Sequence, residues 1–166
     1  ETGFPASRLT LEVTESLMIS EADRAVEILS QFREMGIAVA LDDFGTGYSA
    51  LSYLRTFEWD ELKIDRSFVK ELETDERAGS IVGSIVSMAH QLGIKVTAEG
   101  AETSRQIEIL RDAGSDTIQG YHFGRPVPFG DFPAAVLQAV AAAARLERQR
   151  VPQQAANVTG KFARLR

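Results

Sequence analysis

A predicted helix, a glycine and a short apolar strand that leads into polar residues follow one another three times along this chain. The copies cover residues 20–43, 74–100 and 103–120. In each copy, apolar residues at helical spacing precede the glycine, and ionisable or amide side chains follow the strand. Strands that alternate with helices favour parallel pairing with right-handed crossovers. The repeat therefore predicts an α/β fold.

Each copy carries local signals for where its helix begins and which face it buries. Ser20 and Asp23 are expected to cap the first helix, the second is expected to start near Thr74, and Thr103 with Gln106 forms a capping box for the third. Glycine ends each helix, at Gly36, Gly93 and Gly114. The predicted buried faces are Ala25, Ile28, Leu29, Phe32 and Met35; Ile81, Ile85, Met88 and Leu92; and Ile107 and Leu110.

Five short strands are predicted, at residues 9–13, 37–41, 61–64, 94–98 and 116–118. Functional groups at the carboxyl ends of parallel strands are typical of a (β/α)8 barrel, but a doubly wound sheet places ligands there too, so the pattern leaves both open. Five strands do not close an eight-stranded barrel and would leave two exposed sheet edges. We therefore expect further strands upstream of Glu1, or from another chain.

The charge of the chain is unevenly distributed. The net charge of −6 combines a basic segment, residues 145–166 with six basic residues and one acid, with −11 on residues 1–144. Such an acidic body argues against a nucleic-acid polymer as partner, and an anionic substrate would need cations to offset the repulsion. There is no cysteine, which excludes disulfides and thiolate metal sites. A metal site built from oxygen ligands is the remaining interpretation.

The segment from Asp42 to Gly47 is the most informative for chemistry. Adjacent aspartates raise each other's pKa unless a cation lies between them, and carboxylates are the preferred ligands of Mg2+ and Mn2+. Two neighbouring carboxylates can serve two ions about 3.5–4 Å apart, as in phosphodiester hydrolysis. The glycines that follow allow a sharp turn near a ligand. The alternative is a solvated acidic turn.

Other strand ends carry weaker signals. Glu12 and Glu15 lie three residues apart, so one could face the barrel interior while the other braces a loop. Lys63 and Asp65 share a strand face and can form an ion pair, or Lys63 can bind a phosphate oxygen or orient water. The alternative for Glu12 and Glu15 is that one or both are surface glutamates, and for Lys63 and Asp65 it is a structural salt bridge.

The two later strand ends add an acid and an amide. Glu99 is a candidate ligand or general base, and Glu102 is either the same or a first-turn acid favoured by the helix dipole. Gln119 is a neutral oxygen donor after the last strand. His90, inside a predicted helix, is expected to be structural, and with His122 it makes too few histidines for a histidine site.

Five ordered blocks resemble the EAL domain over roughly residues 5–140. They are Leu11-Glu12-Val13-Thr14-Glu15-Ser16, the run 42–49, the run 62–69, the run 98–103 and Gln119-Gly120-Tyr121-His122-Phe123, followed by Pro126 and Pro128. The resemblance implies an α/β fold, specifically a (β/α)8 TIM-barrel-like EAL fold that is incomplete here, with about five of its strands. It also implies a bacterial enzyme that linearises cyclic di-GMP to pGpG with two Mg2+ or Mn2+ ions.

The resemblance further implies roles for particular residues. Glu12, Asp42, Asp43 and Glu99 would be metal ligands, with Lys63 contacting the attacking water or phosphate and Glu99 the candidate general base. Gln119 would support the inner ligands. Glu15 resembles the glutamate that anchors the loop from Phe44 to Ser49, which in the family also shapes a homodimer interface.

The chain departs from the family in one large respect. The Glu-Ala-Leu segment with its glutamate ligand, a nearby substrate-binding arginine and an asparagine ligand are absent from the sequence. We therefore expect little activity from the chain alone and phosphodiesterase activity from an intact parent protein. The alternatives are a non-catalytic cyclic di-GMP receptor or regulatory module, another metal-dependent barrel acting on a phosphorylated small molecule, and an inactive fragment.

Domain organisation and location follow from the same patterns. Residues 1–140 are expected to form the EAL portion, and residues 141–166 a helical extension that passes into a disordered basic tail. No run of about 18 apolar residues and no signal peptide is present, which favours a cytoplasmic domain. The full-length protein could be membrane-associated and could carry an upstream sensor or diguanylate cyclase domain.

Overall fold

The computed structural model describes residues 3–46 and 54–162, in which helices and strands alternate. The elements, in chain order, are β1 (Thr10–Thr14), α1 (Glu15–Glu34), β2 (Ala38–Phe44), β3 (Glu61–Ile64), α2 (Arg66–Glu71), α3 (Glu76–Gln91), β4 (Lys95–Glu99), α4 (Ser104–Asp112), β5 (Thr117–Gln119) and α5 (Phe132–Phe162). Single 3-10 turns lie at Ala6–Arg8 and Phe129–Asp131.

The five described strands form one parallel sheet in the order β1-β2-β3-β4-β5. The five predicted strands and their parallel pairing are confirmed. Because every strand runs the same way, all carboxyl ends lie at one edge of the sheet, which we call the rim. The predicted site residues belong to these strand ends or to the segments that directly follow them.

The three central strands of the sheet, β2 to β4, are largely buried, as expected for parallel strands that pack on both faces. Three successive residues of β2, from Val39 to Leu41, have no solvent exposure, and neither do Leu62 and Ile64 in β3. In β4 the residues from Val96 to Ala98 are buried, including the polar Thr97. Continuous apolar strands of this kind fix the sheet and hold the rim in place.

Glycine ends the helices at the predicted positions. Gly36, Gly93 and Gly114 have φ angles of 84°, 76° and 92°, in the left-handed region that a glycine enters without steric cost. The capping box of α4 is also confirmed, since Thr103 accepts from the Gln106 backbone and Gln106 accepts from that of Thr103.

Several predicted boundaries are wrong. Helix α1 begins at Glu15 rather than after Ser20, because the backbone turns into helix directly after Thr14, the last residue of β1. Strand β2 does not stop at Leu41 but continues through both aspartates to Phe44. By contrast, the start of α3 lies near Thr74 as predicted, with Asp75 as the cap that accepts a hydrogen bond from the Arg77 N–H.

The predicted buried face of α3 is wrong as well. The buried residues are Ala78, Val82, Val86 and Ala89. Ile81 and Leu92 are exposed. The helix has two apolar stripes, one residue apart in the sequence. The stripe of smaller side chains is the buried one, because it lets the helix pack more closely against neighbouring elements. In α1, Ala25 and Leu29 are buried as predicted, but Ile28 is exposed, as is Met35, which follows the last residue of the helix.

Two aspartates clamp the edge of the sheet opposite the rim in the same way. Asp60, just before β3, accepts a hydrogen bond from the Val39 N–H at 2.8 Å and forms an ion pair with Arg33 at 2.7 Å. Asp116, just before β5, accepts from the Val96 N–H at 2.8 Å and contacts His90 at 2.8 Å. Each carboxylate thus joins the start of a strand to the last turn of a helix.

Replacing Asp116 by asparagine is expected to lower the free energy of unfolding of the chain by about 1 kcal/mol at pH 7, after allowance for its partial exposure. The hydrogen bond with His90, and then that from Val96, holds the pKa of Asp116 below its usual value. The stabilisation is therefore complete above the unfolded-state pKa of about 3.9 and is lost as the pH falls through the lower folded-state pKa.

Urea unfolding followed by the fluorescence of Trp59, the only tryptophan and 4% exposed, measures this loss. His90→Gln, which leaves the Val96 bond in place, should cost less than Asp116→Asn. A difference between wild type and Asp116→Asn that does not shrink on acidification would contradict the assignment.

Residues 120–166 form a second compact unit, separate from residues 1–119. Its main element is α5, which begins at Phe132 and reaches Phe162. The described helices include none that is long and apolar enough to cross a membrane. The predicted domain boundary at residue 140 stays a prediction.

Candidate metal-dependent active site

The ammonium group of Lys63 lies at the centre of the rim. It is 2.7 Å from Glu12 Oε1, 2.7 Å from Glu99 Oε1 and 3.5 Å from Asp42 Oδ1. These partners come from β1, β4 and β2, while Lys63 belongs to β3. Parallel pairing in sequence order is what brings four residues, spread over almost ninety positions of the sequence, to one point.

Lys63 is the buried member of this group. Its side chain is 7% exposed, against 53% for Glu12 and 22% for Glu99. Burial alone would lower the pKa of Lys63, but its hydrogen bonds with Glu12 and Glu99 outweigh burial and raise that pKa above the usual value. Lys63 is therefore a permanent positive charge beneath a more exposed layer of carboxylates.

A β-bulge presents the adjacent aspartates at the end of β2. The pairing with β3 shifts register between Leu41 and Phe44, and Asp43 has a φ of 56°, unusual for a residue other than glycine. Neighbouring side chains on a regular strand point to opposite faces, and the bulge re-aims them. Backbone strain of this kind is concentrated at functional sites.

The two aspartates are electrostatically coupled. Partial burial and then the charge of Asp42 raise the pKa of Asp43 above its usual value. The Asp43 N–H also donates to Asp42 Oδ1 at 2.9 Å, which fixes the orientation of that carboxylate. Four carboxylates (Glu12, Asp42, Asp43 and Glu99) belong to the strand ends around one buried lysine, so the rim has an excess of negative charge.

Glu15, the first residue of α1, is 1% exposed. Its Oε2 accepts a hydrogen bond from the Gly45 N–H at 3.2 Å, directly after β2. This contact agrees with the predicted loop-anchoring role, which stays a prediction. The remaining residues of the predicted loop, 47–49, lie outside the described part of the chain, and the role in a dimer stays a prediction.

Gly100 packs against the first residue of α2. Its φ is 80°, and a methyl group added to it would lie 2.5 Å from Arg66 Cβ and 3.3 Å from Arg66 Cα. Gly100 directly follows Glu99, the last residue of β4. Its close contact with Arg66 therefore fixes the position of the chain where it leaves β4. Only glycine satisfies both the backbone angle and the space.

The variant Gly100→Ala is expected to lose about 3 kcal/mol of stability, because the backbone strain adds to an overlap with Arg66. Gly36→Ala is a matched control, since Gly36 has a φ of 84° with no atom within 4 Å of the added methyl. It should lose about 1 kcal/mol from the backbone angle alone. Equal losses in urea unfolding would show that the Arg66 contact yields without cost.

Gln119 and Glu102 lie near the rim without joining the Lys63 cluster. Gln119 pairs with Glu99 in the register of β4 and β5, and its backbone carbonyl accepts from the Ala101 N–H at 3.1 Å. Glu102 is exposed and precedes the cap of α4, so its interpretation as a first-turn acid is wrong. Its N–H donates to Gln106 at 2.8 Å.

The predicted pairing of Lys63 with Asp65 is not what the structure shows. Lys63 pairs with Glu12, Asp42 and Glu99 instead. Asp65 caps α2 by accepting from the Ser67 N–H at 2.9 Å. Burial would raise the pKa of Asp65, but the hydrogen bonds from Ser67 lower it below its usual value.

The donor chemistry of the rim fits hard divalent cations, because carboxylate oxygens from three strands converge there. In the described part of the chain, however, no three acidic or histidine side chains already form a metal-binding group. The ammonium of Lys63 lies between the carboxylates of Glu12 and Glu99, which would have to turn towards an incoming ion. The metal-ligand assignment stays a prediction.

Fold and site together define a class: parallel β/α proteins that gather acidic side chains around a buried lysine at the carboxyl ends of their strands. The family model that matches the chain, over residues 1–126, is the EAL domain. The chain belongs to the EAL domain family, and its sheet is the five-stranded part of a TIM-barrel-like EAL fold.

Similarity to known proteins supports this placement. The bifunctional diguanylate cyclase/cyclic di-GMP phosphodiesterase MucR of Pseudomonas aeruginosa is 45% identical over 130 residues, which are 78% of this chain and 19% of MucR. The PaMucR phosphodiesterase, solved as a c-di-GMP complex, superposes with a TM-score of 0.73 at 44% identity, over 78% of this chain and 52% of that one.

A third relative is a metal complex. BlrP1 of Klebsiella pneumoniae, solved with manganese and cyclic di-GMP at pH 9.0, has a TM-score of 0.71 at 37% identity, over 75% of this chain and 32% of its own. The chain thus spans about half or less of these solved proteins and about a fifth of the MucR sequence.

Proposed function

We propose that this chain is the metal-binding part of a cyclic di-GMP phosphodiesterase, which hydrolyses cyclic di-GMP to linear pGpG within an intact EAL domain. The observation that carries the proposal is the convergence of Glu12, Asp42 and Glu99 on Lys63 at the rim. The phosphodiesterase activity named for MucR and the cyclic di-GMP bound by its solved relative support it.

Two Mg2+ or Mn2+ ions are the proposed cofactors, with Glu12, Asp42, Asp43 and Glu99 as their ligands in this chain. The manganese complex of BlrP1 supports the use of divalent ions. When bound, such ions activate water and neutralise the charge on attacking and leaving oxygens in an in-line displacement. The excess of carboxylates over lysine at the rim supplies the charge that attracts them.

The other roles in the reaction are assigned to side chains of this chain. Lys63, buried and permanently charged, donates hydrogen bonds that orient the attacking water or a phosphate oxygen. Glu99 is placed beside Lys63 to accept a proton from that water, or serves as a ligand only. Gln119 and Glu102 support the rim from β5 and from the segment after β4. Glu15 holds the turn at Gly45.

The protein context is also part of the proposal. The sequence has no Glu-Ala-Leu segment, so the chain by itself is expected to have little activity. An intact protein that carries it would hold the remaining ligands, act as a homodimer and place a sensor or diguanylate cyclase domain upstream. Such a domain would work in the cytoplasm, with the full-length protein associated with the membrane.

The test is incubation of the intact protein with cyclic di-GMP and Mn2+, followed by chromatographic separation of the nucleotides. The proposal predicts pGpG, and no product when EDTA is added. Binding of cyclic di-GMP without product would establish a receptor instead of an enzyme. If the protein neither binds cyclic di-GMP nor forms product, both functions are refuted for it.

A further inference from the structure

Two cations follow one another closely at the end of β3, and they differ in their surroundings. Lys63 is buried and engaged by three carboxylates. Arg66, three residues further on, is exposed. Within residues 3–46 and 54–162, no ion pair or side-chain hydrogen bond engages its guanidinium group. An exposed arginine beside an acidic rim would ordinarily be expected to pair with one of the carboxylates.

The main chain around Arg66 is held firmly. Asp65 accepts from the Ser67 N–H at 2.9 Å and so fixes the turn by which β3 passes into α2. On its other side Arg66 packs against Gly100, the residue after Glu99. The stem of Arg66 therefore starts beside the catalytic carboxylates. The charge of Arg66, like that of Lys63, opposes the rise in the pKa of Asp43.

We propose that Arg66 binds a phosphate oxygen of the cyclic dinucleotide and acts as a substrate-contacting residue at the outer side of the rim. This inference rests on the proposed function. A phosphodiester anion that approaches an acidic rim needs positive charge in addition to that of Lys63, which three carboxylates already engage. A guanidinium offers paired donors that match two phosphate oxygens, and it remains charged at every physiological pH.

The test compares Arg66→Gln, Arg66→Lys and Lys70→Gln in the intact protein with Mn2+. Lys70 is an exposed lysine on the same helix, one turn further along, so its variant controls for the loss of one positive charge. Arg66→Gln should raise KM for cyclic di-GMP about 10-fold and leave kcat within about 3-fold. Arg66→Lys should give an intermediate KM, because it keeps the charge and loses the paired donors.

Added salt provides a readout that a merely structural role would not move. Wild-type KM should rise with NaCl more steeply than that of Arg66→Gln, because the screened contact is missing in the variant. Thermal melts identify any variant that is less stable. A KM for Arg66→Gln equal to that of wild type or of Lys70→Gln would overturn the proposal, and so would equal salt dependence.

Failure of the proposed function gives a different result. If the wild-type protein makes no pGpG, the same variants are compared by equilibrium binding of cyclic di-GMP. A Kd about 10-fold weaker for Arg66→Gln than for Lys70→Gln would then support the contact in a receptor. Equal Kd values, or no binding by the wild type, would overturn it.

Discussion

Replacing Asp42 by asparagine is expected to lower kcat for cyclic di-GMP about 100- to 1,000-fold in the intact protein. Asp42 is 3.5 Å from the Lys63 ammonium and orients its carboxylate through the N–H of Asp43. Asparagine keeps the size of the side chain and removes the charge that a divalent ion requires. The measurement is the rate of pGpG formation at saturating substrate and Mn2+.

The control is Asp131→Asn, the same chemical change at an exposed position in the second compact unit. It should leave kcat within about 2-fold, since surface substitutions away from a site have small effects. Thermal melts in EDTA check that Asp42→Asn is folded, since the change removes both the repulsion with Asp43 and the attraction to Lys63. Unchanged turnover in Asp42→Asn would refute the metal assignment at β2.

Replacing Lys63 by glutamine is expected to cost about 3 kcal/mol of stability in EDTA. The change removes the positive charge from three carboxylates and leaves a buried polar side chain in its place. Added Mn2+ should recover much of this loss, because an ion bound among Glu12, Asp42 and Glu99 replaces the missing charge. Urea unfolding of the chain with EDTA and with Mn2+ measures both effects.

Lys70→Gln is again the matched control, and it should change stability by less than about 0.5 kcal/mol with no response to Mn2+. A Lys63→Gln variant as stable as wild type in EDTA would mean that the lysine does not hold the carboxylates together. Loss of stability without any recovery in Mn2+ would mean that the carboxylates do not bind the ion.

Much of the sheet could be predicted from the sequence because its signals are local. An apolar run of four or five residues after a glycine is sufficient to predict β2 and β4, and Gly36 and Gly93 take the left-handed angle that ends a helix. The parallel pairing follows from the alternation of elements. The gathering of Glu12, Asp42, Lys63 and Glu99 follows in turn from the parallel pairing.

The faces of the helices could not be predicted with the same success. In α3 the stripe with Ile81 and Leu92 and the stripe with Val82 and Val86 are both apolar. Periodicity alone favours the larger side chains, but the packing of helix against neighbouring elements selects the smaller ones. The start of α1 was missed because the change from strand to helix between Thr14 and Glu15 has no capping side chain to mark it.

The finer features of the site depend on contacts between residues distant in sequence. The β-bulge at Asp43 is a register shift against β3, and nothing in the segment itself signals it. The clamps at Asp60 and Asp116 were missed, although each is an aspartate directly before a strand, which is a signal that could have been used. The contact of Gly100 with Arg66 joins two strand ends that only the sheet brings together.

The most direct test of the account is the location of manganese in crystals of the intact protein by anomalous diffraction. The account predicts two peaks about 3.5–4 Å apart at the rim, in contact with carboxylates from Glu12, Asp42, Asp43 and Glu99, with Glu12 and Glu99 turned away from Lys63. An absence of peaks at the rim at saturating Mn2+, with Lys63 still paired to Glu12 and Glu99, would contradict it.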